Sequence, residues 1–193
     1  MFVWSVWVLW LAQAVLILSG FGRSHLESQG ISSTWLGAFM LSLLPAPIIG
    51  FFWYPGWHES LENYWWSFLV MVFFIQRTPH LWERTGIMTL GMAVMRHFGP
   101  LNPHRVTMVN WSMWESWISG ILLGFVIKDP VASALSAAVV TTQSSTVLSA
   151  ISGHLHFSTA RNLSFSLAAT MIAWNTSWVI KSISSLWVHE HPF

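Results

Sequence analysis

The feature that most constrains this chain is an apolar run over residues 106–127, in which Glu115 is the one charged side chain. A rigid turn precedes the run, because Pro100 and Pro103 each fix their own backbone φ and push the preceding residue toward an extended conformation. A helix of this length measures about 33 Å at 1.5 Å per residue, and the hydrocarbon core of a bilayer is ~30 Å thick. The run therefore predicts a helix that crosses a membrane.

Composition extends this prediction to the rest of the chain. Of the 193 residues, 54% are hydrophobic and 8% are charged, whereas a soluble domain usually carries about 25% charged residues. So few charges cannot cover a water-facing surface, and the 15 tryptophans are typical of membrane interfaces. We therefore predict an all-α fold, a polytopic transmembrane helix bundle of about six spans.

The predicted bundle forms a single integral membrane domain over residues 1–193, with a first helix pair in 1–63 and the remaining helices in 64–193. Two of its apolar runs are too short to cross a bilayer unaided, so we expect a short or protein-buried helix at 64–76 and no full span at 85–95. The apolar runs are residues 2–22, 31–53, 64–76, 85–95, 106–127, 131–153 and 161–188.

The composition also excludes several kinds of chemistry. The chain has no cysteine, which excludes disulfides, thiolate metal sites and cysteine nucleophiles. Its formal net charge of +1 comes without a basic patch, which argues against nucleic acid as a partner. The pairs His154/His156 and His189/His191 could bind a metal, but both lie at predicted helix ends, where interfacial histidines are the favoured interpretation. We expect no haem or metal cofactor of the chain's own.

Two charged side chains, Glu115 and Lys181, lie well inside predicted spans. A carboxyl in such a position is often functional, so Glu115 either carries protons or pairs with a residue on a neighbouring helix or chain, and pairing is favoured. Lys181 either extends toward the membrane interface or pairs with a carboxylate. The hydroxyl-rich segment 141–146 is either a set of interhelical hydrogen bonds, which we favour, or a transport site.

The turn before the long run resembles a segment of a known family. The sequence Pro-Leu-Asn-Pro at 100–103 is followed by Val106, Asn110, Ser119 and Gly120. These residues are similar in order and spacing to the segment that leads into a membrane helix of cytochrome c oxidase subunit III. The family's seventh helix, however, has no counterpart here.

The end of the second apolar run adds to this resemblance. Residues 52–59 read Phe-Trp-Tyr-Pro-Gly-Trp-His-Glu, which resembles the motif that closes the second helix of that family, with His58 at the position of an arginine. The resemblance implies a phospholipid headgroup site formed by Trp53, His58 and Glu59. A structural phospholipid is therefore expected. A histidine should bind phosphate more loosely than the arginine, which is always charged.

The resemblance implies a non-catalytic core subunit of a haem-copper cytochrome c oxidase, which is respiratory complex IV. Such a subunit stabilises the catalytic subunit and supports proton uptake. The implied partners are the catalytic and other oxidase subunits, membrane lipids and, where the last helix is encoded separately, a second polypeptide. The implied location is the mitochondrial inner membrane, with a bacterial plasma membrane as the alternative. A small membrane transporter or channel, and a scaffold subunit of another respiratory complex, remain open as alternatives.

Overall fold

A computed structural model describes residues 2–43, 58–98, 108–152 and 160–190, and these residues form helices joined by short turns. The all-α part of the prediction is therefore confirmed for the described residues. A 3₁₀ turn at Pro79–Leu81 joins two of the helices. The helices are α1 (Phe2–Leu18), α2 (Arg23–Ser28), α3 (Ser33–Ser42), α4 (His58–Arg77), α5 (Trp82–Phe98), α6 (Met108–Val126), α7 (Pro130–Ser152) and α8 (Ala160–Glu190).

The prediction of a polytopic transmembrane bundle is wrong. Among the described residues, every helix falls short of what a bilayer crossing needs, either in length or in apolar content. The helix α1 has 17 residues and α3 has 10, against the ~20 apolar residues that a spanning helix requires. Serine, threonine and glutamine recur along the longer α7 and lower its hydropathy. The same finding corrects the predicted location as an integral protein of the mitochondrial inner membrane or of a bacterial plasma membrane.

The chain divides into two compact units, Met1–Glu62 and Asn63–Phe193. In the first unit α1 packs against α3, and the buried indole of Trp10 donates a hydrogen bond from Nε1 to the carbonyl oxygen of Met40 at 3.0 Å. Gly37 permits this packing, because a Cβ there would overlap the side chain of Leu18. A side chain at that position would require Leu18 or one of the two helices to shift.

The segment between α1 and α3 is polar and partly helical. Ser32 caps α3, since its hydroxyl accepts a hydrogen bond from the backbone N–H of Trp35 at 3.3 Å. On α2 the Arg23 guanidinium lies 2.7 Å from the Glu27 carboxylate. Their hydrogen bond and opposite charge raise the pKa of Arg23 above its usual value. Both side chains are exposed, so water and salt screen the pair and it contributes little to stability.

The second unit is built around α7. Its side chains are buried on all sides from Pro130 to Val140, apart from the half-buried Leu135, and α7 contacts α5, α6 and α8. A helix that is buried all round belongs to the core of its unit. Its start is fixed by Asp129, whose Oδ1 accepts a hydrogen bond from the backbone N–H of Ala132 at 2.8 Å.

Two glycines bring α6 against α8. A Cβ on Gly120 would lie 2.8 Å from Cβ of Ile172, and a Cβ on Gly124 would lie 2.6 Å from Cβ of Thr176 and 2.9 Å from the carbonyl oxygen of Ala173. Later residues of α6 thus meet later residues of α8, so the two helices run in the same direction. The close approach depends on the missing side chains.

We expect Gly124→Ala to lower the free energy of unfolding by about 1–3 kcal/mol, because the new methyl group would overlap a backbone oxygen that cannot move freely. The control is Gly91→Ala on α5, where a Cβ meets nothing within 4 Å. That change should be neutral or stabilise by up to ~1 kcal/mol, since alanine favours the helix. Urea unfolding followed by circular dichroism measures both variants, and equal effects would contradict the packing described here.

Candidate functional site

The most buried charged group of the described residues is the carboxyl of Glu115 on α6, which is 1% exposed. Ser144 of α7 is fully buried, and its hydroxyl donates a hydrogen bond to Glu115 Oε1 at 3.0 Å. A carboxyl removed from water needs hydrogen-bond donors of this kind, because burying it without them costs several kcal/mol. The structure thus places Glu115 against a polar residue of a neighbouring helix. That Glu115 carries protons stays a prediction.

Ser144 belongs to the hydroxyl-rich segment 141–146. The hydroxyls of Thr141 and Thr142 in this segment donate hydrogen bonds to backbone carbonyls of their own helix. Thr141 Oγ1 donates to the carbonyl of Ala137 at 2.8 Å, and Thr142 Oγ1 donates to the carbonyl of Ala138 at 2.8 Å. Such bonds to a carbonyl one turn earlier are common for threonine inside helices. The Ser144 hydroxyl bonds across to α6, and the side chains of Ser145 and Thr146 lie outside the described residues.

Lys181 lies on an exposed part of α8, far from Glu115. It follows Ser177 by about one helical turn, and the Ser177 hydroxyl donates to the carbonyl of Ile127 at 2.8 Å, just beyond the end of α6. Glu115 lies twelve residues before Ile127, which is about 18 Å along the helix axis. Because α6 and α8 run in the same direction, Lys181 lies beyond the Ile127 end of α6 and not beside Glu115. The structure therefore does not bring the two predicted charged residues together.

The predicted phospholipid site falls mostly outside the described part of the chain. Trp53 lies in the undescribed range 44–57. His58 and Glu59 form the first turn of α4, but the description does not extend to their side chains. The headgroup site formed by these three residues stays a prediction.

The predicted histidine pairs also fall largely outside the description. His154, His156 and His191 are not described, and only the backbone of His189 is, near the end of α8. Among the described side chains, no cluster of three or more histidines, aspartates or glutamates is placed to hold a metal ion. The expectation that the chain has no cofactor of its own stays a prediction.

The outward side of α6 is a surface that the sequence analysis did not single out. Trp114 is 57% exposed and Phe125 is 62% exposed, and Trp117 and Ile121 lie between them on the same helical face. The buried side of the same helix carries small residues and Glu115. The signal was present in the sequence, because large apolar residues at 114, 117, 121 and 125 alternate with serines and glycines at helical spacing.

This outward side of α6, formed by Trp114, Trp117, Ile121 and Phe125, is called the α6 face below. Other helices carry similar exposed apolar residues, among them α1 in the first unit and α5 in the second. They include Val8, Leu9, Leu11, Val15 and Leu16 on α1, and Trp82, Ile87, Leu90, Val94 and Met95 on α5. Exposed apolar side chains therefore recur in both units and are not confined to one position.

The residues that carry the family resemblance are only partly described. The Pro-Leu-Asn-Pro turn lies in the undescribed range 99–107. Ser119 and Gly120 are described and buried, with the Ser119 hydroxyl donating to the carbonyl of Glu115 at 2.7 Å. Both have packing roles within α6 and at its contact with α8.

Comparison of the chain with protein-family models, with curated proteins and with solved structures finds no match. The described residues define a helical fold with a buried carboxyl–hydroxyl pair and an apolar outer face on α6. The resemblance to subunit III rests on the residues quoted above alone.

Proposed function

We propose that this chain is a non-catalytic structural subunit of a larger protein assembly, held in place by apolar contacts on the outward sides of its helices. The observation that carries this proposal is the α6 face, where Trp114, Trp117 and Phe125 are about half exposed or more. Each aromatic side chain offers 150–250 Å², so these three alone expose roughly 250–400 Å². An exposed apolar patch of this size is often functional.

The chemistry of the α6 face suits a protein partner. Tryptophan and phenylalanine are enriched in the buried centres of protein interfaces, and charged residues are depleted there. Residues 116–127 contain no charged side chain, and the one carboxyl of α6 is turned inward and buried. A partner helix could therefore cover the face without burying an unpaired charge.

The assembly to test first is a haem-copper cytochrome c oxidase, because the sequence resemblance names it. In that setting the chain would stabilise the catalytic subunit, and support of proton uptake would be a second role. A bound phospholipid and a separate polypeptide that supplies the last helix belong to the same proposal. The membrane-crossing helices of that family are not carried over to this chain.

Mild affinity purification of the tagged chain from its own host tests the proposal. We expect other subunits and the absorbance of haem a to be recovered with the wild-type chain. The double variant Trp114→Glu with Phe125→Glu places charges on exposed positions, so it should leave the fold intact and reduce recovery at least about tenfold, the effect of ~1.4 kcal/mol. Circular dichroism of the purified variant checks that it is folded.

The matched control is the double variant Ser184→Glu with Ser185→Glu, which introduces the same two charges at exposed positions of α8. It should leave recovery of the partners unchanged. A wild-type chain that purifies as a folded monomer without other proteins would contradict the proposal as a whole. Recovery with an assembly that lacks haem a would contradict only the oxidase, and would favour a scaffold role in another complex.

A further inference from the structure

We draw no further inference here: the strongest candidate, the exposed apolar side chains of Val179 and Ile183 on the part of α8 that follows Ser177, is an apolar face for which nothing in the described residues shows what covers it.

Discussion

Replacing Trp66 with alanine is expected to lower the free energy of unfolding by about 3–5 kcal/mol. The indole is 4% exposed on α4, and its Nε1 donates a hydrogen bond to Ser166 Oγ of α8 at 2.9 Å. Alanine removes a large apolar group from a buried position and leaves a cavity, and the surrounding helices can relax only in part. Denaturant unfolding followed by circular dichroism measures the loss.

Two companion variants separate the contribution of the hydrogen bond from the contribution of burial. Ser166→Ala should cost about 1–3 kcal/mol, because the buried indole N–H is left without its acceptor. Trp82→Ala removes the same kind of side chain from a position that is 53% exposed, so it should cost much less than Trp66→Ala. Equal losses for the two tryptophans would contradict the burial of Trp66. The double variant of Trp66 and Ser166 should be less destabilised than the sum of the single variants, because the two residues are in contact.

The second large effect is expected at Glu115, where alanine should cost about 2–4 kcal/mol. The change removes the acceptor of the Ser144 hydroxyl and leaves a space between α6 and α7. Glutamine has nearly the same shape and keeps a carbonyl oxygen that can accept from Ser144. We therefore expect Glu115→Gln to cost less than about 1 kcal/mol, since volume-conserving changes are tolerated best.

The control for the Glu115 series is Glu83→Ala, which removes an exposed carboxylate from the first turn of α5. Substitutions at exposed positions usually change stability by no more than ~0.5 kcal/mol. Thermal unfolding at one fixed pH compares the three variants. A glutamine variant as unstable as the alanine variant would show that the charge of Glu115, rather than its volume and its acceptor oxygen, determines the stability of this contact.

The helical fold could be predicted from the sequence because its apolar runs are long and are separated by polar turns. Run length alone could not fix where each helix ends. The predicted span 31–53 contains α3, which ends at Ser42, and the predicted span 106–127 becomes α6 with Met108 and Val126 as its ends. Helix ends depend on capping and on contacts with other helices, which hydropathy does not record.

Of the pair that forms the candidate site, only Glu115 could be predicted from the sequence. Glu115 stands out in the sequence because an apolar run surrounds it. Its contact with Ser144 could not be predicted, because it depends on the register of α6 against α7, and several hydroxyls in 141–146 were equally good partners. Gly120 and Gly124 lie four residues apart, a spacing that indicates a close helix contact, but the sequence does not say that α8 is the partner.

The pairing of α6 with α8 has a consequence for how the second unit folds and unfolds. Gly124 meets Thr176, and the hydrogen bond from Ser177 to Ile127 joins residues 50 positions apart in the chain, with all of α7 between them. Closing a loop of this length costs entropy, and the packing of α7 against both α6 and α8 helps to offset that cost. The helices α6, α7 and α8 should therefore exchange their protected amide hydrogens as one cooperative unit, with a common opening free energy.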